Sequence, residues 1–299
     1  METRESPFHS FAIFSVTVYN VGCFAVNAQR INDESRGIKH MFETIKEIWS
    51  YRSMIQSLVH KDLRGRYKAS VLGFLWTFIV PLCQLLVYTV VFSIIMRSTV
   101  EKFYLYLFVA LIPWNFFSSC LTGGSACILQ QQSLVNKIFF PREVIPISYV
   151  TSSFVNMLYC EIVVVAVCLI SGVHFNFFGF CCLPLVMLEE YFFALGVTLI
   201  VSAIDVFFRD LEHILGILSM AWMFLTPIMY DLSMVPEKLR PIFNLNPMTV
   251  IVTAYRDILY WGSVPKLETL AIAGSFGIVF LILGFLIFGR LKKRFSEVM

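Results

Sequence analysis

VLGFLWTFIVPLCQLLVYTVVFSIIM (residues 71–96) and FYLYLFVALIPWNFFSSCLTGGSACIL (residues 103–129) carry no charged side chain, and only RSTVEK separates them. About 20 consecutive apolar residues, at about 1.5 Å rise each, cover the hydrocarbon core of a bilayer. Each stretch is therefore predicted to be a transmembrane helix. Four more follow. Val144–Ile170 is broken only by Glu161, and Phe177–Ile204 contains Glu189 and Glu190. Ile214–Tyr230 is shorter, and Thr269–Gly289 is uncharged. The composition agrees: 58% of the 299 residues are hydrophobic, 14% are charged and 30 are Phe, against about a quarter charged in soluble domains. The expected fold class is an all-α membrane protein with six transmembrane helices, an N-terminal amphipathic interfacial helix and short extracytoplasmic re-entrant helices. A net charge of +3 gives no reason to expect a nucleic-acid partner.

Basic residues set the orientation, because cytoplasmic loops are enriched in Lys and Arg. One set of loops and flanks holds Lys46, Arg52, Lys61, Arg64, Arg66, Lys68, Lys137, Arg142, Arg209, Arg290, Lys292, Lys293 and Arg294. The other holds Arg97, Lys102, Lys238, Arg240, Arg256 and Lys266. The first set is the larger, so both ends of the core are expected in the cytoplasm.

Residues 41–70 are read as an amphipathic interfacial helix with a basic entry. Lys46, Ser50, Ser53, Ser57 and Lys61 share one helical face, and Ile45, Ile48, Trp49, Ile55 and Val59 share another, a pattern suited to the membrane surface. Residues 71–289 are the permeating core and 290–299 a basic cytoplasmic tail. Residues 1–40 are an atypical extension that is either dispensable or not native, since Phe11–Ala28 is a poor span and no clean cleavage pattern follows it. The eight Cys show no CxxC spacing and are read as small buried hydrophobes.

Familiar chemistry is missing. No GxxxxGK[ST] phosphate loop, HExxH, EF-hand loop or Rossmann fingerprint occurs, and the five His are far apart in sequence. Four segments stand out instead. HKDLRGRYKASVLGFLWTFIVPL (60–82) runs a basic cluster into a span, able to hold phospholipid headgroups. SLVNKIFFPREVIP (133–146) sets Ile138, Phe139 and Phe140 between Lys137, Arg142 and Glu143, with Pro141 breaking the chain. A short apolar helix rimmed by charges can dock into a partner's groove; a tight loop between two spans would have the same composition. SAIDVFFRDLEHI (202–214) puts Asp205 and Arg209 four apart, where they can pair on a helix. The stretch 224–262 is broken at Pro227, Pro236, Pro241 and Pro247. It suits two short helices dipping in from outside, since irregular backbone at membrane depth must be buried in protein or line a cavity.

FFPREVIP (139–146), VFFRDLEHILGI (206–217), LTPIMYDLSMVPEKLR (225–240), NLNPMTVIVTAYRDIL (244–259) and LRGRYKASVLGFLWTFIVPLCQLLVY (63–88) together resemble the polysaccharide class of ABC-exporter permeases. These are the membrane subunits for export of O-antigen, capsule and teichoic acid, and the resemblance covers residues 41–299. It implies a homodimeric pore in the bacterial cytoplasmic (inner) membrane, with two separate ATPase subunits that hold ATP and magnesium, and no cofactor on this chain. The implied substrate is a long glycan or polyol-phosphate polymer on an undecaprenyl-type lipid. Residues 133–146 would contain the main coupling helix (Lys137, Ile138, Phe139, Phe140, Pro141, Arg142, Glu143), and Arg209 and Asp210 a second contact near the ATPase. Pro227, Pro236, Pro247, Tyr255 and Arg256 would belong to an extracytoplasmic gate. Two features depart from the family pattern: residues 1–40 have no counterpart, and Glu189 and Glu190 stand where apolar residues are expected. Such a pair can stand near an interface, be protonated or be bonded across a dimer, and at least one of the two is expected to face a dimer interface or a water-filled cavity.

Flat rings stack on sugars while tolerating sliding, so Trp76, Tyr88, Tyr104, Trp114, Phe116 and Phe117 are candidate pore residues, although aromatics are also common at membrane interfaces and helix contacts. Two other readings stay open. One is a membrane-embedded enzyme acting on lipid-linked sugars, with Glu161, Glu189, Glu190 and Asp205 as metal ligands or acid and base. The other is a drug or lipid exporter of the same architecture. Lacking a phosphate loop, the chain purified free of partner subunits is expected not to hydrolyse ATP; turnover in such a preparation would contradict this.

Overall fold

The computed structural model describes residues 46–67, 72–91 and 100–295. Residues 1–40, the joint between the basic entry and the first predicted span (68–71), and the end of that span (92–96) lie outside them. The chain divides into two compact units, Met1–Trp49 and Ser50–Met299. In the first, residues 46–49 are helical; all that follows concerns the second.

The regular structure of the described residues is helical, with no strand among them. The helices are α1 (Arg52–Tyr67), α2 (Trp76–Thr89, after a 3-10 turn at Gly73–Leu75), α3 (Phe103–Thr122), α4 (Cys127–Gln130) and α5 (Gln132–Lys137). They continue with α6 (Val144–Ile170), α7 (Phe177–Asp205), α8 (Leu211–Leu225), α9 (Arg240–Asn244), α10 (Pro247–Leu259) and α11 (Leu267–Leu291). Four are long and apolar enough to cross a membrane: α3, α6, α7 and α11 with the turn that extends it to Arg294. Two shorter apolar helices, Gly73–Thr89 and Leu211–Leu225, occupy the first and fifth predicted spans.

The boundaries differ from expectation where glycine or proline intervenes. The second span was expected to reach Leu129, but α3 stops at Thr122 and the chain turns through residues 123–126. Gly123 and Gly124 allow that turn to press against its neighbours: a Cβ on Gly124 would collide with the Cys120 carbonyl, and one on Gly123 with the Tyr149 hydroxyl. The fifth was expected to reach Tyr230, but α8 ends at Leu225, before Pro227. The residue preceding a proline is pushed out of helical dihedrals, and Thr226 is extended at φ −105°, ψ 130°.

Helix α3 lies at the centre, packed against α6, α7, α8 and α10. Leu105, Leu107, Val109, Ala110 and Leu111 are fully buried, as befits a helix apolar all round. Helix α1 lies along α6, with Met54, Ile55 and Leu58 turned onto the core and Ser152 donating to the Asp62 carboxylate.

The most extensive helix packing among the described residues is between α7 and α11. Lipid is as apolar as leucine, so spans associate through tight packing, and small residues let backbones meet. Gly196 faces the backbone of Phe280 and Leu281, and a Cβ on Gly284 would come 2.6 Å from the Gly196 carbonyl. No side-chain motion relieves a clash with backbone. Gly196→Val is therefore expected to cost about 3 kcal/mol or more. Melting temperature in detergent and membrane-inserted yield check this, with Gly216→Val, where a Cβ meets nothing, as the control.

Candidate functional site

The sequence motifs gather at two opposite ends of the bundle. At the first, the loop between α5 and α6, the start of α8 and the end of α11 meet. Helix α5 ends at Lys137 because the chain becomes extended at Ile138 (φ −128°, ψ 136°), ahead of Pro141. Lys137 and Ile138 are exposed, and Phe139 is 95% exposed. Phe140, in contrast, is 7% exposed and belongs to the core.

Two of the three charges expected to rim this segment do something else. Glu143 is buried and accepts from Lys292 Nζ at 2.6 Å. Arg142 Nη1 donates to the Lys292 carbonyl at 2.7 Å, and its guanidinium lies 5.5 Å from the centre of the Phe295 ring. Phe295 is fully buried, against Phe288 and Phe207. The loop is thus clamped to the end of α11, in a stretch read from sequence as tail. A buried carboxylate so paired is costly to break. Arg209 and Asp210 are exposed beside this cluster. The expected Asp205–Arg209 helical pair does not form, because α7 ends at Asp205 and residues 206–207 turn. The part Lys292 and Phe295 play here escaped the sequence reading; the one signal was an aromatic residue directly after KKR.

At the opposite end, the chain from Leu225 to Pro247 folds back as a hairpin. Breaking α8 at Thr226 strands backbone carbonyls, and each must find a donor. Asn246 meets part of that demand: its Nδ2 donates to the Leu225 carbonyl at 3.2 Å and to Thr226 Oγ1 at 3.0 Å. Its Oδ1 accepts from Met248 N, capping α10, and from Trp222 Nε1 at 2.9 Å. Tyr230 Oη donates to the Phe224 carbonyl at 2.6 Å, and Arg256 serves the carbonyls just beyond the break. It is 5% exposed and donates to the Pro227 carbonyl at 2.5 Å, the Ile228 carbonyl at 2.7 Å and the Tyr106 carbonyl at 3.3 Å. Its guanidinium stacks 3.5 Å from the Tyr106 ring centre, where a planar cation suits an aromatic face. Tyr260 Oη donates to the Glu101 carbonyl at 2.5 Å, and burial, together with the Glu101 charge, pushes that hydroxyl above its usual range, so it stays a neutral donor. Of the expected gate residues, Pro227, Pro247, Tyr255 and Arg256 are buried together in this region, whereas Pro236 is exposed on the outer turn.

The candidate pore aromatics separate. Trp114, Phe116 and Phe117 are enclosed within the chain; Phe117 stacks on Phe193 and meets Trp222 edge-on. A ring covered on all sides has no face for a sugar, so these three are packing residues. Trp76 is 42% exposed. Tyr88 and Tyr104 are half-buried, with Tyr104 donating to Ser171 Oγ. Sequence reasoning passed over the polar contacts in the apolar helices: Asn115 donates to Gln84 Oε1, Gln84 to the Tyr88 hydroxyl, and Ser118 and Ser219 share a hydrogen bond at 2.7 Å.

Glu190 is fully buried and bonded within the chain to Tyr255, and Glu189 packs against Gly274 of α11. Both are buried within the chain. The four carboxylates of the enzyme alternative do not form one site, since Asp205 lies about 22 Å along α7 from Glu190 at helical rise. Among the described residues no group of three His, Cys, Asp or Glu side chains is placed to hold a metal.

Residues 53–260 match the ABC-2 type transporter family. The chain belongs to that family. It is 34% identical over 262 residues to the O-antigen export system permease protein RfbA of Myxococcus xanthus, covering 86% of this chain and 99% of that one. It is 33% identical over 243 residues to a Klebsiella pneumoniae protein of the same name, covering 81% and 93%. The polysialic acid transport protein KpsM of Escherichia coli is 25% identical over 236 residues, covering 77% and 90%. The expected kinship with polysaccharide-class ABC permeases is met.

Replacing Arg256 by Ala would strand the Pro227 and Ile228 carbonyls. The expected loss is roughly 3 kcal/mol, with faster proteolysis of residues 226–246, and Arg256→Lys should fall between, because an ammonium cannot span all three carbonyls. Thermal unfolding and limited proteolysis in detergent would detect both effects.

Proposed function

We propose that this chain is the membrane-spanning subunit of an ATP-driven exporter of lipid-linked polysaccharide. The observation that carries the proposal is the similarity to O-antigen export permeases over nearly their whole length. On this reading α2 and α8 complete six spans, the bundle sits in the bacterial cytoplasmic membrane, and two copies form the pore. Each copy engages one ATPase subunit, which brings ATP and magnesium. The substrate is a polymer of O-antigen, capsule or teichoic acid type on an undecaprenyl-type lipid.

The end of the bundle that carries Lys137, Arg142, Arg209, Arg290 and Lys292–Arg294 is then cytoplasmic, by the positive-inside rule. Helix α1 lies at the cytoplasmic surface. A groove of about 1020 Å³ beside it, lined by His60, Lys61, Arg64, Phe74 and Tyr159, has the charge and the apolar wall to hold an anionic lipid.

Coupling needs a contact that the ATPase can grip and a linkage stiff enough to carry its motion. Phe139 supplies the first: a bare aromatic ring at a loop tip is a natural hot spot for a partner's pocket. The Glu143–Lys292 and Arg142–Phe295 contacts supply the second by joining the loop to α6 and α11. Phe139→Ala is therefore expected to leave membrane level and protomer stability unchanged while reducing ATPase co-purification and surface glycan at least tenfold. Phe140→Ala should instead destabilise the protomer by about 3 kcal/mol, as core truncations do. Normal co-purification and normal export with Phe139→Ala would place the contact elsewhere, at Arg209 and Asp210 first.

A further inference from the structure

Pro81 sits inside α2. Proline has no amide hydrogen to give the carbonyl one turn back, so the Thr77 carbonyl lacks its usual helical partner. Helix α6 answers for it: Cys160 Sγ donates to that carbonyl at 3.3 Å. Beside this joint α2, α3 and α6 leave a cavity of about 60 Å³, whose wall carries Pro81, Asn115, Ser119, Ser153, Asn156 and Cys160. Asn156 is the thirteenth of the 27 residues of α6. The cavity therefore lies at the middle of a helix long and apolar enough to cross a membrane.

The wall offers donors and acceptors in an otherwise apolar part of the bundle. Asn115 gives one amide hydrogen to Gln84 Oε1 at 3.2 Å, which leaves its second amide hydrogen and its Oδ1. Ser119 is bonded by Tyr149 and Gly124 through its carbonyl, which leaves its hydroxyl for the cavity. Ser153 and Asn156 bring a further hydroxyl and amide from α6. Cavities that stay empty in proteins are apolar, whereas a polar one with room holds water bonded to about two to four groups. The space suits water, whose share of liquid volume is about 30 Å³, and is too small for a sugar ring or an acyl chain. Among the described residues no carboxylate lines it, so nothing there selects a metal cation. We propose that this cavity is a water-binding site at bilayer depth, where bound water bridges α3 to α6 beside the Pro81 break of α2. Ordered water is one of the means by which proline is tolerated in a membrane helix. The inference rests on the chain being an integral membrane protein and not on what it exports.

The test is radiolytic footprinting of the full chain in lipid nanodiscs. A short X-ray pulse splits water into hydroxyl radicals, which oxidise side chains touching a bound molecule before radicals from bulk solvent can reach them. Met157 lines the cavity with Cys160, and the two are 2% and 5% exposed. Both sulfurs are expected to oxidise several-fold faster than those of Met187 and Cys168, which are 8% and 0% exposed and lie away from the cavity wall. Asn156→Leu, which removes the amide and fills the space, should bring both rates down to those of the two controls. Should that variant fail to fold, the comparison within the wild type decides by itself. A charged methanethiosulfonate reagent, too large for the cavity, is expected to leave Cys160 unmodified. Met157 and Cys160 oxidising no faster than the controls would overturn the proposal, as would rates unchanged in a folded Asn156→Leu. Rapid modification of Cys160 by the charged reagent would also overturn it, since open solvent rather than bound water would then fill the space.

Discussion

Backbone satisfaction in a buried interior is the constraint on which this structure depends. Helix α8 is interrupted at Thr226, ahead of Pro227, and the chain beyond it is buried, where each carbonyl needs a donor from the protein. Arg256 and Asn246 supply donors from outside the broken helix. Both lie on or beside α10, so the return of the chain into the bundle is what makes its departure tolerable. The guanidinium also binds the Tyr106 carbonyl and ring, which joins the hairpin to α3, the most central helix. One planar cation thus fixes three segments relative to each other.

The opposite end uses the same physics with different partners. A buried carboxylate, Glu143, requires a cation, and Lys292 supplies it. Arg142 is drawn onto the end of α11 by a carbonyl and a ring. With Phe140 in the core and Phe139 in solvent, adjacent aromatic residues are set apart: one holds the loop and the other is left exposed. The loop that carries Phe139 is tied to two long helices through contacts that are buried and directional. Between the ends, glycine-lined packing of α7 on α11 holds the bundle without help from any hydrophobic difference between protein and lipid.

The sequence by itself determined the class of fold, because a bilayer demands uncharged helices of sufficient length and little else can be written that way. Val144–Ile170 appears with the bounds expected of it, since no proline or glycine interrupts its middle. The positions of the chain breaks were also legible, in Pro227 and Pro247. What the sequence could not decide was which way adjacent side chains turn. Trp114, Phe116 and Phe117 look like pore residues by type and prove to be core, because α3 is surrounded on every side. Glu143 and Arg142 look like a solvated rim and prove to be a clamp, because their partners, Lys292 and Phe295, are some 150 positions away in the chain. The Glu190–Tyr255 bond is likewise invisible to local reading. Periodicity and composition report the solvent around a segment, whereas pairing across 65 or 150 residues depends on helix packing, and only the tertiary structure decided it.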